Sequence, residues 1–335
     1  MTVVVPRALC FVCPRCHGDL DAAPAGYRCL SCTAWYPIVA GVPDFRVRSD
    51  PWIGIEEDRA KALRLERFTE RMEFADAVSA YWALTPTTPT ELAARFIEHA
   101  VRAGARSQEW LGLLEGEEGS APPGCWLELG CGTGDLLSAA AAQGVSIVGI
   151  DIALRWLVVA RRRAGSTGAE LVCCGAEHLP FPDRSFARVL ALGLLEHCLD
   201  ARTVLTEARR VLVPGGVLRL RTVNRYSLLR EPHVDVWGVG FLPRRWATAY
   251  VRWRSGRLYA HHRPLSWREL RGAFRQSGFR DVRVESATPL PSETACLGQT
   301  GQAALVSYRQ VRRTPGLRRL LAWFAPLLEA RGVAQ

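Results

Sequence analysis

Three glycines at alternate positions, Gly130, Gly132 and Gly134, follow a short apolar run and the acidic residue Glu128. The apolar run is typical of a buried strand, and the small and apolar residues after the glycines are typical of a helix. Glycine in such a turn adopts backbone angles that are closed to other residues and lets a ligand approach the main chain. Because the helix N-terminus also offers unpaired N–H groups, the turn predicts a ligand site.

A second acidic residue indicates that this ligand contains a ribose. The apolar run 145–150 ends at Asp151, and an acid at the tip of the second strand is placed to accept hydrogen bonds from two ribose hydroxyls. The glycine spacing is G-x-G-x-G, which differs from the G-x-G-x-x-G fingerprint of dinucleotide-binding proteins. A dinucleotide site and a glycine turn without any ligand are the alternatives.

The turn and the second acid together resemble the class I S-adenosylmethionine-dependent methyltransferases, in which the glycine turn holds the methionine part of the cofactor. The resemblance continues in residues 174–186, which are similar to the family motif G-D-A-E-x-L-P-F, in Leu-Glu-His at 195–197 and in the L-x-P-G-G turn at 212–216. It covers residues 125–222. Gly175 stands where the family usually has the Asp that bonds the adenine, so main chain near Ala176 would have to hold the base.

The resemblance implies an α/β fold with a doubly wound, seven-stranded, mostly parallel sheet of the Rossmann-like class I methyltransferase type. Its last strand would be antiparallel, and we predict the final two strands at 281–286 and 303–309. The resemblance also implies that S-adenosylmethionine is the cofactor. The residues expected to bind it lie in the glycine turn and at the ends of neighbouring strands: Glu128, Gly130, Gly132, Gly134, Asp151, Ile152, Ala176, Glu177 and Leu192.

Two C-x2-C pairs near the N-terminus predict a structural metal centre. Their four thiolates would satisfy tetrahedral Zn2+ without leaving a coordination position open. Cys10 complicates the assignment, because it forms a further C-x2-C pair with the first ligand. The preferred ligands are Cys13, Cys16, Cys29 and Cys32.

Together with the Y-P-I-x-x-G-V-P stretch at 36–43, these cysteines resemble the small zinc-ribbon proteins that activate RNA and protein methyltransferases. A similar ribbon precedes the catalytic domain in the rRNA large-subunit guanine methyltransferases. A ribbon of this size could bind nucleic acid, close a core too small to stand alone or brace the catalytic domain. We favour bracing.

The methyl acceptor is expected to bind in the segment after the fifth strand, about residues 224–265, which interleaves Trp and Tyr with Arg and holds three of the seven histidines. His261, His262 and His233 are the candidate bases for a hydroxyl acceptor, whereas His197 is expected to pack or to bond the backbone. Aromatic and Arg side chains could stack nucleobases, lie at a membrane interface or line a pocket for a small molecule.

Similarity of this segment and of Leu-Glu-His to quinone-type and other small-molecule methyltransferases favours a small or lipophilic acceptor, methylated on an O, N or C atom. The alternative is an RNA base methyltransferase that uses the ribbon and the basic C-terminal half to bind RNA. A protein substrate and a non-catalytic methyltransferase-like partner are further alternatives. The sequence leaves the acceptor itself and the oligomeric state open.

The charge of the chain is a weaker guide to its partners. The 335 residues carry a net charge of +10, and residues 201–335 contain 24 arginines and no lysine. Lys61 is the only lysine in the chain. The excess of arginine therefore indicates a general bias in amino-acid usage more than a surface that binds nucleic acid. No apolar run reaches the roughly 18 residues of a membrane span. The scattered cysteines indicate a reducing compartment, so we expect a cytoplasmic protein, with peripheral membrane contact left open.

We predict four parts: a zinc ribbon at 1–48, a helical lid or linker region at 49–119, the methyltransferase domain at 120–315 with its acceptor-site insertion, and a C-terminal amphipathic helix at 316–335. In the lid region, Tyr81 and Trp82 are candidates to cover the cofactor, although core packing is favoured. Ser266 and Glu269 predict a capping box at the start of helix 266–277.

Overall fold

The structure is a computed structural model that describes residues 9–85, 88, 90–115, 121–165, 167, 169–295 and 297–335. Residues 1–8 of the predicted ribbon and parts of the predicted lid region therefore lie outside the described residues. The chain divides into two compact units. The first comprises Met1–Val189 and Arg210–Val213, and the second comprises Leu190–Arg209 and Pro214–Gln335.

Two sheets contain the described strands. The N-terminal sheet has the order β1-β2-β3-β4 and consists of β1 (Leu20–Ala23), β2 (Gly26–Cys29), β3 (Trp35–Val39) and β4 (Val42–Pro43). The larger sheet has the order β10-β11-β9-β8-β5-β6-β7. Its strands are β5 (Trp126–Leu129), β6 (Ile147–Asp151), β7 (Glu170–Cys173), β8 (Phe186–Leu192), β9 (Leu212–Val223), β10 (Arg280–Ser286) and β11 (Leu327–Val333).

Helices alternate with the strands of the larger sheet and also precede it. The described helices are α1 (Ile55–Thr69), α2 (Phe74–Ala83), α3 (Thr90–Glu115), α4 (Asp135–Ala142), α5 (Leu154–Ala164), α6 (Ala201–Val211), α7 (Arg244–Ser255), α8 (Trp267–Gln276), α9 (Pro291–Thr294), α10 (Gln299–Arg313) and α11 (Pro315–Phe324). In the first unit, α1 and α2 pack against α5, and α3 packs against α4. None of the helices in the described part of the chain combines the length and the apolar composition needed to cross a bilayer.

The larger sheet has the predicted fold class. β5 pairs in parallel with β6, and β6 pairs in parallel with β7. β11 is antiparallel to both of its neighbours, β9 and β10. The central strands β5, β6 and β8 are buried along nearly all of their length. Their apolar runs are therefore nearly continuous rather than alternating, as is typical of a parallel sheet. The prediction of seven strands, mostly parallel with an antiparallel last strand, is confirmed.

The C-terminal secondary structure differs from the prediction. Residues 303–309, predicted as a strand, lie within α10, because a short apolar run fits a buried strand and a helix equally well. The predicted C-terminal helix at 316–335 ends at Phe324, and residues 327–333 form β11, whose side chains alternate between half-buried and buried. Pro326 explains the change, since proline cannot continue a helix and restricts the residue before it.

The predicted capping box at the start of α8 is confirmed. The hydroxyl of Ser266 accepts a hydrogen bond from the amide of Glu269, and the Glu269 carboxylate accepts one from the amide of Ser266. The two bonds satisfy two N–H groups that the first turn of a helix leaves unpaired. They fix the point at which the chain leaves the predicted acceptor segment.

The N-terminal sheet is attached to the edge of the larger sheet within the first unit. The amide of Phe45 donates to the carbonyl of Cys173, the last residue of edge strand β7, at 2.7 Å. The amide of Val12 donates to the carbonyl of Pro180 at 3.0 Å, and the ring of Phe11 packs on that of Phe181. These contacts cover backbone groups that an edge strand would otherwise expose.

Candidate functional site

The glycine turn has the backbone geometry that its sequence predicts. All three glycines have positive φ angles, 70° at Gly130, 50° at Gly132 and 73° at Gly134. A Cβ atom on Gly134 would lie 3.1 Å from the Cβ of Ala160, whereas the position of a Cβ on Gly132 has no heavy atom of the described structure within 4 Å. The turn therefore needs glycine for its angles, and it leaves free space beside Gly132 for a ligand.

Asp151 connects the glycine turn to the end of β6. Its carboxylate accepts a hydrogen bond from the amide of Gly132 at 2.9 Å and one from the amide of Ala153 at 2.8 Å. Burial raises the pKa of Asp151, and the two amide hydrogen bonds partly oppose that rise. A carboxylate has about four acceptor sites, so this one can hold the turn and still accept hydrogen bonds from ligand hydroxyls.

Glu128 is a buried carboxylate at the end of β5. Its Oε2 atom has no hydrogen-bond partner among the described residues. Burial raises its pKa well above the usual range, and the nearby charges of Asp135 and Asp151 raise it further. A buried acceptor of this kind is costly unless a partner satisfies it. The ammonium group of S-adenosylmethionine is a partner of the right charge, so the residues present fit that cofactor.

The other predicted cofactor residues lie at the ends of the next strands. The main-chain carbonyl of Ile152 accepts a hydrogen bond from Arg46. Gly175 and the buried Ala176 follow β7, and the carboxylate of Glu177 forms an ion pair with Arg48. Leu192 is the last residue of β8 and belongs to the second unit.

A buried cluster of charged side chains lies next to the residues that follow β6. Arg155 on α5 contacts Asp50 at 2.8 Å and Asp58 on α1 at 2.9 Å. Arg46 contacts Asp58 at 2.6 Å and Asp44 at 2.8 Å. Four of these residues lie in the segment between the N-terminal sheet and α1 or in α1 itself. The cluster therefore ties the N-terminal region to the helix that follows Asp151.

The aromatic pair of the predicted lid region is part of the core. Tyr81 is buried and its ring lies 4.0 Å from that of Trp156, centroid to centroid. Trp82 stacks on Phe96 of α3 at 5.0 Å. These contacts agree with the favoured interpretation, core packing.

The structure brings the four predicted metal ligands together. Sγ of Cys13 lies 3.6 Å from Sγ of Cys32, and Sγ of Cys16 lies 3.5 Å from Sγ of Cys29. Tetrahedral zinc with Zn–S bonds of about 2.3 Å needs sulfur atoms about 3.8 Å apart, so the arrangement fits this ion. The amide of Cys32 donates to Sγ of Cys29 and lowers the pKa of that thiol to about 6. Cys10 is not one of the four grouped thiols.

Three histidines meet in the second unit: His197, His233 and His262, whose nearest ring nitrogens all lie within 4.8 Å of one another. The structure therefore groups two of the three predicted bases, while His261 is not one of the three. His197, which was expected to pack or to bond the backbone, joins them. The only sequence signal for this role was its place at the end of the fourth strand, in the Leu-Glu-His element.

Glu231 orients one histidine of this cluster. Its Oε1 atom lies 2.6 Å from Nδ1 of His233, and its Oε2 atom accepts hydrogen bonds from the amides of His233 and Val234. Burial alone would lower the pKa of His233, but the hydrogen bond and the charge of Glu231 outweigh it and raise that pKa. Burial, then the charges of His233 and His197, lowers the pKa of His262 to about 3.

A cavity of about 620 Å³ lies beside His262 in the second unit. Its lining includes apolar residues such as Leu195, Val239 and Leu265, together with the ring of Tyr259. The charged residues of the lining are mostly basic: Arg202, Arg225, Arg244, Arg245 and Arg263 against Asp200. Small-molecule sites have volumes of about 300–1,000 Å³ and mix apolar walls with a few polar groups, so the cavity has the size and the lining of such a site.

Comparison with known proteins decides the family. Residues 127–220 match the family described as "Methyltransferase domain". A ubiquinone/menaquinone biosynthesis C-methyltransferase of Desulfotalea psychrophila is 31% identical over 188 residues, which span 54% of this chain and 75% of that relative. The chain belongs to the class I S-adenosylmethionine-dependent methyltransferases. The predicted family, fold class and cofactor S-adenosylmethionine are thereby confirmed for this methyltransferase.

Two further proteins are similar to the methyltransferase. A ubiquinone biosynthesis O-methyltransferase of Idiomarina loihiensis is 29% identical over 161 residues, which span 47% of this chain and 62% of that relative. A solved structure of an S-adenosylmethionine-dependent methyltransferase from Thermotoga maritima is 20% identical, with a TM-score of 0.46, over 73% of this chain and 97% of that chain. The methyltransferase thus spans three quarters of the first relative and less than two thirds of the second.

Proposed function

We propose that this methyltransferase transfers a methyl group from S-adenosylmethionine to an O, N or C atom of a small or lipophilic molecule bound in the 620 Å³ cavity. The cavity carries the proposal, because its volume and mixed lining suit one small ring system rather than a polymer. The relatives in quinone biosynthesis support the same class of acceptor, since one is a C-methyltransferase and the other an O-methyltransferase.

In the proposed donor site, two acidic residues of the first unit have separate roles. Glu128, whose Oε2 atom has no partner among the described residues, would hold the ammonium group of the cofactor. Asp151 would accept the ribose hydroxyls while it holds Gly132 in place. The cofactor supplies a methyl group that its sulfonium has already activated, so alignment of donor and acceptor provides most of the rate enhancement.

In the proposed acceptor site, the histidines of the second unit remove the proton of a hydroxyl acceptor. His233 is the strongest of the predicted bases because Glu231 fixes its ring orientation and stabilises its charged form. His262 lines the cavity, and His261 precedes it in the chain. The basic lining favours an acceptor that becomes an anion on losing its proton, as a phenol does, because positive side chains stabilise that charge.

We further propose that Cys13, Cys16, Cys29 and Cys32 hold one structural Zn2+ and that the ribbon braces the donor site. Four thiolates leave no coordination position for a substrate. The hydrogen bond from Phe45 to Cys173 and the ion pair between Arg48 and Glu177 link the ribbon region to the strand ends beside the cofactor. This arrangement supports bracing over nucleic-acid binding, because it uses the ribbon for contacts within the chain.

An exposed aromatic surface supports peripheral contact with an anionic bilayer, from which a lipophilic acceptor would enter. The surface consists of Leu228, Leu229, Trp237, Phe241, Trp246, Trp253 and Leu258, all exposed. Tyr250 joins its parts, since its hydroxyl donates to the carbonyl of Trp237 and its ring packs beside Trp253. Helix α7 adds four arginines and no acidic residue, and it also lines the cavity. Tryptophan at headgroup depth and arginine beside anionic lipid are favourable on such a helix.

Two assays test the proposed function. Calorimetry with S-adenosylmethionine should show binding to the full chain, and radiolabelled cofactor should transfer methyl groups to members of a panel of phenols, quinols and prenylated quinols. The matched variant is Asp151→Asn, which should bind the cofactor about 10- to 100-fold more weakly while staying folded. Transfer to RNA but to no small molecule would overturn the proposal in favour of RNA methylation, and a well-folded chain that does not bind the cofactor would overturn it entirely.

A further inference from the structure

The three grouped histidines come from three separate segments of the second unit. His197 follows β8, His233 lies in the loop after β9, and His262 lies in the loop before α8. Their ring centroids are 4.8 Å apart for His197 and His233, 5.1 Å for His197 and His262, and 4.2 Å for His233 and His262. Ring nitrogens from all three lie within 4.8 Å of one another.

The backbone holds these segments against each other. The amide of Arg263 donates to the carbonyl of Glu196 at 2.6 Å, which joins the residue after His262 to the residue before His197. The amide of Glu231 donates to the carbonyl of Val236 and closes the loop that carries His233. The carboxylate of Glu196 is itself held by the hydroxyl of Thr222 at 2.7 Å. Hydrogen bonds among the residues next to the three histidines therefore hold the cluster together.

We infer that His197, His233 and His262 form a binding site for a divalent transition-metal ion of the zinc type, with an open coordination position toward the cavity. Imidazole nitrogen is a ligand that Zn2+ and Co2+ accept readily. Zinc at about 2.0–2.1 Å from each nitrogen needs nitrogens about 3.3 Å apart. A closure of about 1.5 Å or less, with a rotation of the stacked rings of His233 and His262 so that their nitrogens converge, would complete the site. The orientation of His233 by Glu231 is the carboxylate–histidine arrangement that metal-binding imidazoles usually have.

The open position follows from the number of ligands and from their surroundings. Catalytic zinc sites have three protein ligands and one exchangeable position, whereas structural sites have four protein ligands. Of the three histidines, His262 lines the cavity, so the fourth position would face the space proposed for the acceptor. This last step rests on the proposed function: an oxygen or nitrogen atom of the acceptor would bind the ion. With the ion bound, His233 would be a ligand and not a base.

Metal counting on the full chain tests this inference. After chelator treatment, reloading with Zn2+ and gel filtration, elemental analysis should find about two zinc ions per chain, one for the four cysteines and one for the three histidines. His197→Ala and His262→Ala should each lower the count to about one. His261→Ala is the matched control, because His261 adjoins His262 but is not one of the grouped histidines, and it should keep both ions.

Reloading with Co2+ gives a second readout that also reports on folding. Thiolate ligands absorb strongly in the near ultraviolet and imidazole ligands do not, so His197→Ala should lose part of the visible absorption and keep the near-ultraviolet bands of the ribbon. One ion in the unmodified chain, or an unchanged count in both histidine variants, would overturn the inference and leave the cluster as side-chain packing. Because neither assay needs cofactor or acceptor, such a result would not bear on methyl transfer, whereas a metal-loaded chain without methyl transfer would count against the proposed function alone.

Discussion

The carboxylate of Asp58 lies 2.6 Å from the guanidinium group of Arg46, and both side chains are fully shielded from solvent. The same carboxylate contacts Arg155 at 2.9 Å and accepts a hydrogen bond from the amide of Leu154 at 2.9 Å. Asp58 thus joins the segment after the ribbon, helix α1 and the start of helix α5. Together with Asp44 and Asp50, Asp58 balances the charges of these two arginines.

Asp58→Asn is expected to lower the free energy of unfolding by about 3–5 kcal/mol, because it removes a charged hydrogen-bond partner from each of two buried arginines, Arg46 and Arg155, which keep Asp44 and Asp50 as charged partners. Denaturant unfolding of the full chain measures the change. The control is Glu98→Gln, which removes the partner of Arg102 in an exposed pair and should change the free energy by less than about 0.5 kcal/mol. Equal unfolding midpoints for the two variants would contradict the expectation.

Asp151→Asn is expected to weaken S-adenosylmethionine binding by about 10- to 100-fold, because charge-assisted hydrogen bonds contribute about 1.5–3 kcal/mol and each 1.4 kcal/mol is a factor of ten. The substitution removes the charge that holds the amide of Gly132 and that would hold the ribose. Calorimetry measures the affinity. Asp183→Asn is the control, since that carboxylate is mostly exposed and pairs with Arg210, and it should bind the cofactor normally. An unchanged affinity in Asp151→Asn would rule out its role at the ribose.

Glu128→Gln should make the ligand-free protein more stable and its cofactor binding weaker. Burial raises the pKa of Glu128 in the folded state, so the folded state binds this proton more tightly than the unfolded chain, whose Glu pKa is about 4.3. Stability is therefore fully present below that value and falls as the pH rises through the folded pKa. The stabilisation by Gln should be larger at pH 8 than at pH 5, as thermal melts at both values would show. A pH-independent difference would contradict this assignment.

Removal of the Zn2+ that we propose for the ribbon should increase hydrogen exchange in β7 as well as in the ribbon. The amide of Phe45 donates to the carbonyl of Cys173, and in the proposed bracing this bond makes the edge of the larger sheet depend on a folded ribbon. Hydrogen exchange before and after chelation measures the effect, and peptides covering residues 42–46 and 170–174 should exchange faster. Peptides from β10 and β11, in the second unit, serve as the internal control. Faster exchange confined to residues 10–40 would show that the ribbon does not brace the sheet.

Trp253→Ala should lower binding to vesicles that contain anionic phosphatidylserine by about fivefold or more, because a tryptophan at headgroup depth contributes on the order of 1 kcal/mol or more. Trp253 is 76% exposed, and Trp52 in the first unit, 59% exposed, provides the matched control. Co-sedimentation with vesicles measures the binding, and Trp52→Ala should retain it. Equal losses in both variants, or no binding by the unmodified chain, would remove the bilayer from the proposed route of the acceptor.

The sequence by itself determined the local features of the proposed donor site and of the proposed zinc ribbon. A glycine turn, the acid at a strand tip and paired cysteines are local patterns, because their function depends on residues a few positions apart. The turn at Gly130–Gly134, the position of Asp151 at the end of β6 and the capping box of Ser266 are therefore found where the sequence predicts them. The four thiols also meet, since two short knuckles need only one hairpin between them.

Only the tertiary structure decided which distant residues meet. Glu177, predicted at the cofactor, forms an ion pair with Arg48. Asp58 forms ion pairs with Arg46 and Arg155, which are about a hundred residues apart in the chain. His197 lies beside His233 and His262. The paths of the loops that carry these histidines decide this arrangement, and no local sequence pattern predicts those paths. Near the C-terminus, the tertiary structure also decided which segment is a helix and which is a strand. The apolar run 303–309 is compatible with both a helix and a strand. Residues 327–333 form β11, the antiparallel neighbour of β9, and 303–309 are helical.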